Sequence, residues 1–196
     1  MKKKEKLVSI IMNCFNGENY LLDALKSVQS QSYQNFELIF YDNCSTDNSK
    51  KIFESFKDYR FKYFKSKKKE MLGLARLNAL KKIKGFFFLF LDCDDYLLPN
   101  KLAVQIKLFK NKHIGAVYSN SFFFSKYRKK KLYKIHPRDN ADSIFYDLIK
   151  NYYISLDTVI FKKKIVEKLP EIFNSNFNLI HDLDLIIRLS KEYQIK

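Results

Sequence analysis

The stretch Phe86-Phe87-Phe88-Leu89-Phe90-Leu91 runs directly into Asp92-Cys93-Asp94-Asp95. An apolar run of this length, preceded by Gly85 and closed by acids, is too short to cross a membrane and reads as a β-strand buried on both faces. Its acids then stand at the C-terminal end of the strand, which in an open α/β sheet is the edge that forms the ligand crevice. Carboxylates packed this closely repel one another at neutral pH, and a divalent cation carrying a phosphate ligand would compensate them. A plainer reading stands beside it: an acidic loop leading into a helix, with Asp94 or Asp95 near its N-terminus and Pro99 in its first turn.

Outward from this stretch the same grammar repeats. Leu7 to Met12 reads as a buried strand, Asn13 to Asn19 as a turn broken at Asn16-Gly17, and Asn19 to Gln29 as a helix with Leu21, Leu22, Leu25 and Val28 on one side. Phe36 to Tyr41 is a second strand, after which Ser45 and Thr46 are expected to cap a helix burying Ile52, Phe53 and Phe56. Phe61 to Phe64 is a third strand, and a helix from Leu72 to Lys84, ended by Gly85, carries Leu74, Leu77, Leu80 and Ile83 inward. Another runs from Pro99 or Asn100 to Lys110 with Leu102, Ile106 and Phe109 inward. Strand and helix in alternation predict an α/β fold, a mostly parallel sheet with helices on both faces. Further on, the pattern predicts a strand over Ile114 to Ser121, a hairpin from Phe122-Phe123-Phe124 and Leu132 to Ile135, and a helix over Ser143 to Lys150. A strand over Ile154 to Phe161 and a helix over Asp182 to Glu192, burying Leu185, Ile186 and Leu189, complete it. At 196 residues, without repeats or a Pro- or Gly-rich linker, the chain reads as one domain.

The formal charge is +16, supplied mostly by lysines spread along the whole chain. Scattered lysines are ordinary solvated surface, with a basic face meeting anionic lipid or phosphate groups as the functional alternative. Nucleic acid is excluded as a partner, because no motif interleaves basic and aromatic residues. Met1 to Lys6 leads straight into a strand with no signal-peptide apolar region, which predicts a cytoplasmic protein. Cys14, Cys44 and Cys93 are odd in number and form no C-x-x-C pair, which argues against a disulfide framework and against zinc. Each falls at or just past the end of a predicted strand, so the thiols are expected along the same crevice.

With these residues in place the chain resembles the family 2 glycosyltransferases, nucleotide-sugar enzymes of the GT-A fold. The resemblance spans nearly the whole chain. It is carried by Val8-Ser9-Ile10-Ile11 with Phe15-Asn16-Gly17, Gln31 to Ile39, Asp42 with Ser45-Thr46-Asp47, Gly73-Leu74-Ala75-Arg76, Gly85 to Asp95 with Pro99-Asn100-Lys101-Leu102, and His181-Asp182-Leu183-Asp184-Leu185 with Arg188-Leu189, in the family's order. It implies a GT-A catalytic domain over residues 1–196, trimmed or minimal at the C-terminus, with a Rossmann-like central sheet. It also implies a nucleotide-sugar site of Phe15, Asn16, Asp42, Arg76, Asp92 and Cys93, in which Asp42 contacts the base. Asp92 and Asp94 match the D-x-D motif that holds Mn²⁺ or Mg²⁺, with Asp94 the more direct ligand, and Asp182 matches the general base.

The chemistry implied is inverting transfer of one sugar from a nucleoside diphosphate sugar, a UDP-sugar, to a hydroxyl of a glycan or lipid-linked acceptor. Bacterial surface polysaccharide or lipooligosaccharide synthesis uses such steps, at the inner face of the cell membrane. A sugar diphosphate departs when a cation neutralises it, and a carboxylate near the acceptor hydroxyl takes its proton in the same displacement. The rival reading is a non-catalytic sugar-nucleotide binding module. Three positions depart from the family pattern: Asn43-Cys44 follow Asp42 where Asp-Gly is common, Asn78 falls one place late after Arg76, and His181 stands where Glu is usual. His181 is expected to substitute by local hydrogen bonding. The chain has no Trp, hence no Gln-x-x-Arg-Trp motif of processive synthases, which favours single transfer.

Overall fold

The computed structural model describes residues 5–125, 128–133, 144–169, 172–173 and 180–196. Its strands are β1 (Val8–Cys14), β2 (Phe36–Asp42), β3 (Phe61–Lys65), β4 (Phe87–Asp92), β5 (Ile114–Val117), β6 (Ser121–Ser125), β7 (Arg128–Tyr133), β8 (Ile160–Lys162) and β9 (Gln194–Ile195). The helices are α1 (Leu21–Gln29), α2 (Ser49–Ser55), α3 (Leu72–Leu80), α4 (Lys101–Ile106), α5 (Ile144–Lys150), α6 (Lys164–Lys168) and α7 (His181–Glu192), with a 3₁₀ turn at Leu156–Thr158. Seven strands form one sheet in the order β3-β2-β1-β4-β8-β5-β9, and β6 pairs with β7 in a separate antiparallel ribbon. β3, β2, β1 and β4 are mutually parallel, while β8 runs antiparallel between β4 and β5.

Strand periodicity builds a core on each face. Ile10, Met12, Leu38, Phe40, Leu89 and Leu91 pack with Leu21 and Leu25 of α1, Phe53 of α2 and Leu102 of α4. Their neighbours one residue along, Ile11, Ile39, Phe88 and Phe90, pack on the opposite face with Ala75 and Ala79 of α3, Leu148 of α5 and Leu185 and Leu189 of α7. Both sets are apolar because helices cover both faces, as the unbroken runs predict. Phe86, at 43% exposed, is the exception and stays outside β4.

The predicted elements need several corrections. α3 ends at Leu80 and buries Gly73, Ala75, Arg76, Ala79 and Leu80, whereas Leu74 is exposed. Small residues let this helix lie close on the sheet, and the larger leucine at 74 is turned to the rim. The strand expected over Ile154 to Phe161 is a 3₁₀ turn followed by the short β8, because Gln105 and Lys101 of α4 both hydrogen-bond the Thr158 carbonyl and hold the chain in a turn. β5 stops at Val117, short of the expected Ser121. The hairpin and the α5 helix form, though Ile135 and Ser143, placed at their ends by the sequence, lie outside the described residues.

At the edge of the sheet remote from the strand C-termini, Glu37 is 3% exposed. It accepts hydrogen bonds from the Ser9 hydroxyl (2.6 Å), the Lys84 N–H (2.6 Å) and the Lys62 ammonium. Beside it Gly85 leaves room for the backbone: a Cβ there would lie 2.6 Å from Ser9 N and from Phe87 O. Burial alone would raise the Glu37 carboxyl, yet Lys62, Ser9 and Lys84 together hold it below its usual 4.5. Its contribution is therefore complete above that value and is lost as pH falls through the lowered one. Glu37→Ala strands the buried Ser9 hydroxyl and the half-buried Lys84 N–H, while Lys62 can turn to water. A loss of about 2–4 kcal/mol is expected, read as a lower urea midpoint with unchanged slope at neutral pH.

Candidate functional site

The sheet registers place Cys14 beside Asp42 and Asn13 beside Asp92, so the C-terminal ends of β2, β1 and β4 stand side by side. The two loops that leave β1 and β2 are sewn together. The Asn16 side-chain oxygen accepts from Thr46 N–H (2.9 Å), Asn16 N–H donates to the Ser45 hydroxyl (3.1 Å), and Gly17 N–H donates to the Ser49 hydroxyl (2.9 Å). Glu18 N–H donates to Asp47, and Glu18 in turn accepts from Asn48 N–H. Asn16 and Cys44 take positive φ, 53° and 62°, which makes both turns sharp. Ser45 and Thr46 are thus not the helix caps the sequence predicts. The N-cap of α2 is Asn48, and both hydroxyl residues are engaged by Asn16 instead.

Asp42 is 1% exposed, with one oxygen accepting from Ser45 N–H (2.7 Å) and the other from the Tyr63 hydroxyl. Here it forms the turn; each oxygen keeps a further lone pair, and it is burial that a base would have to overcome to reach it. Asn43 accounts for its own departure from the family pattern: its Oδ1 accepts from Glu70 N–H (2.8 Å) while its Nδ2 donates to the Glu70 carbonyl (2.9 Å). A carboxylate could not make the second bond. The late Asn78 also serves this loop, donating to the Glu70 carboxylate at 3.1 Å. Phe15 stands 41% exposed at the mouth with the Lys69 ammonium 3.8 Å above its ring.

Arg76, 8% exposed on α3, donates from Nη2 to both oxygens of Asp92 at 2.9 and 3.0 Å. Its Nε is buried without a partner. Asp92 is therefore neutralised from below, whereas Asp94 and Asp95 reach solvent. Partial enclosure, then the charges of Asp157, Asp92 and Asp94, push the Asp95 carboxyl up to about 7. Cys14 and Cys93 lie against each other between these acids and β1. Hydrogen bonding from Cys93 draws the Cys14 thiol down to about 7, and the same contact pushes Cys93 up. Cys44 is turned away to the Ser66 carbonyl at 3.3 Å, so two of the thiols converge and the third does not.

Sequence reasoning named Asp182 but missed the residue that holds it. The Tyr152 hydroxyl donates to Asp182 Oδ2 at 3.0 Å, and Leu183 N–H donates to Asp182 Oδ1 at 2.9 Å. Burial first, then Asp182 and Asp157, drive the Tyr152 hydroxyl upward against the opposing charge of Arg76. Asp157 is held by the Ser155 hydroxyl. Neither Tyr152 nor Asp157 belongs to a motif: the pattern read Tyr152 as the approach to a strand and Asp157 as part of that strand. The N-cap of α7 is Ile180, so Asp182 is not the helix cap. His181 is 8% exposed, edge-on to Phe173 at 5.9 Å, and its ring packs over Gly73. Its Nδ1 has no hydrogen-bond partner, so it fills space rather than substituting by hydrogen bonding as expected.

Among the described residues no three His, Cys, Asp or Glu side chains are grouped to hold a metal ion by themselves. The hard oxygens of Asp94 and Asp92 at an open strand end fit Mg²⁺ or Mn²⁺, ions that are commonly held by one or two carboxylates together with phosphate oxygens and water.

Comparison with known proteins bears on the family and the fold. Residues 9–170 match the model of glycosyl transferase family 2. The UDP-Glc:alpha-D-GlcNAc-diphosphoundecaprenol beta-1,3-glucosyltransferase WfaP of Escherichia coli is 30% identical over 164 residues, which cover 84% of this chain and 64% of that protein. Crystallised TarS of S. aureus in complex with UDP superposes with a TM-score of 0.76 at 22% identity, over 96% of this chain and 56% of TarS. A mannosyltransferase of Pyrobaculum calidifontis in complex with GDP-Man and Mn²⁺ gives 0.72 at 17%, over 96% and 53%. At these identities the two structures speak to the fold, which is GT-A. The chain thus spans about half to two thirds of the proteins it resembles.

Proposed function

The chain belongs to glycosyl transferase family 2, and from that premise we propose that it moves a single sugar, with inversion, from a UDP-sugar to a hydroxyl of a glycan or lipid-linked acceptor. The observations that support this reading are Asp92 tied to Arg76, Asp94 exposed at the end of β4, and Asp182 held by Tyr152, whose hydroxyl feels the charge of the same Arg76. Asp182 takes the proton of the acceptor hydroxyl while Tyr152 and Leu183 N–H aim its carboxylate. Phe15 and the loops sewn through Asn16 receive the nucleotide, and the turn built on Asp42 shapes that pocket. Arg76 and Cys93 flank the sugar diphosphate, and Asp94, with Asp92 behind it, would hold Mn²⁺ or Mg²⁺. That ion supplies neutralisation of the departing diphosphate.

A lipid-linked acceptor is supported by the diphosphoundecaprenol acceptor that WfaP is named for. No described helix is long and apolar enough to cross a membrane. Contact with anionic lipid at the inner face of the membrane fits the recess of about 600 Å³ lined by Lys65, Lys67, Lys68, Lys81 and Lys82. A thermal-shift panel of nucleotides and nucleotide sugars with Mn²⁺ tests the donor. UDP species are expected to raise the melting temperature most, since ligand at a hundred times its Kd adds about 2.7 kcal/mol. Stabilisation by UDP-sugar without hydrolysis or transfer to any acceptor would leave the binding module as the answer, and no response to any nucleotide would overturn both readings.

A further inference from the structure

β1 and β4 are in register up to Asn13 opposite Asp92. The next residues along the chain are Cys14, which ends β1, and Cys93, one place past the end of β4; strands lie about 4.8 Å apart, a spacing within the roughly 4.4–6.8 Å Cα separation that a disulfide accepts. Their side chains also converge: a Cβ built on Gly17 would lie 2.8 Å from both sulfurs at once. The two Sγ atoms therefore flank a single point, with the missing side chain of Gly17 leaving them room. Both thiols are free, Cys14 at 2% exposed and Cys93 partly open to solvent.

We propose that Cys14 and Cys93 form a redox modification site, a reversible intramolecular disulfide made by exchange with a small disulfide such as oxidised glutathione, and that the bond shuts the donor crevice. Cys93 is the thiol that a small disulfide can reach; the small fraction of it that ionises despite its acidic neighbours attacks one sulfur, and the thiolate released takes up the proton. The Cys14 sulfur, also deprotonated, then attacks Cys93 and expels the second small thiol. Two protein thiols are oxidised by two electrons, and one small disulfide is reduced to two thiols. The closing effect rests on the reading of Asp92 and Asp94 as the donor site. The bond falls on the residue between them, drawing it toward β1 and fixing the backbone from which both carboxylates project.

The test exposes the purified chain to oxidised glutathione, maps the peptides without reduction, and titrates UDP with Mn²⁺ before and after treatment with dithiothreitol. A Cys14–Cys93 linked peptide is expected as the main product, with nucleotide affinity lowered at least tenfold and restored by the reductant. Cys44, partly open but turned to Ser66, is the internal control. Glutathione adducts at Cys93 or Cys44 without the link would overturn the site, and a linked protein that binds UDP as the reduced one does would overturn the closure. The peptide map is read without any donor, so failure of the link is separate from failure of the proposed transfer, which would show as absent UDP binding in the reduced chain.

Discussion

Transfer by the Asp182→Asn variant is expected to fall by roughly two to four orders of magnitude, with donor binding nearly unchanged. The amide keeps the size of the side chain and can still accept from Tyr152, but it cannot take the proton of an acceptor hydroxyl. A purely structural Asp182 predicts another outcome. Because Ile180 is the N-cap of α7, Asp182 satisfies only its own neighbour Leu183 and Tyr152, and its replacement would cost little stability or activity. Tyr152→Phe separates positioning from chemistry. It removes one hydrogen bond to a charged group, worth about 1.5–3 kcal/mol, so kcat is expected to fall about tenfold or more while the donor KM holds. Single-turnover kinetics with saturating donor read both variants, and normal turnover by a folded Asp182→Asn enzyme would remove the base assignment.

The half of the site on the parallel strands was legible in the sequence because its causes are local. Phe87 to Leu91 can be buried on both faces only with helices above and below, and a strand so covered must deliver Asp92 to the crevice edge. The loops were harder to read. Ser45 and Thr46 carry the right chemistry for caps, but a hydroxyl bonds whatever is nearest, and the register of β1 with β2 brings Asn16 closer than the helix end. Asp42 illustrates the same limit: the sequence marks an acid at a strand end, and the fold alone decides that Tyr63 and Ser45 occupy both of its oxygens. Tyr152 and Asp157 were invisible, since their place depends on α4 gripping the Thr158 carbonyl from far along the chain. The place of the three thiols at strand ends predicts a shared crevice, but only the register of β1 with β4 shows that Cys14 and Cys93 meet while Cys44 turns to Ser66.

The same uneven accessibility of the acids sets the last expectation, that Asp94→Asn weakens Mn²⁺-assisted UDP binding far more than Asp95→Asn. Asp92 already faces a buried cation, accepting two hydrogen bonds from Arg76, so it can give a second cation only a shared oxygen. Asp95 shares its surroundings with Asp157, a like charge across the turn. Asp94, exposed as Asp95 is, stands two residues beyond the Asp92 that Arg76 holds in place, at the second acid of the D-x-D pattern. Losing a ligand of this kind is expected to cost about 10–100-fold or more in metal affinity, taking as the floor what the loss of a supporting group costs. The signature is conditional on the ion. With EDTA present, wild type, Asp94→Asn and Asp95→Asn should bind UDP alike and weakly. With Mn²⁺ added, calorimetry should show affinity recovering in wild type and in Asp95→Asn but not in Asp94→Asn. Equal losses in the two variants would mean that the acids share the ion or that neither holds it, and recovery of Asp94→Asn alone would transfer the role to Asp95. The second result would also place the diphosphate nearer the 3₁₀ turn, and the donor would then lie between β4 and Asp157 rather than over the Asn16 loop.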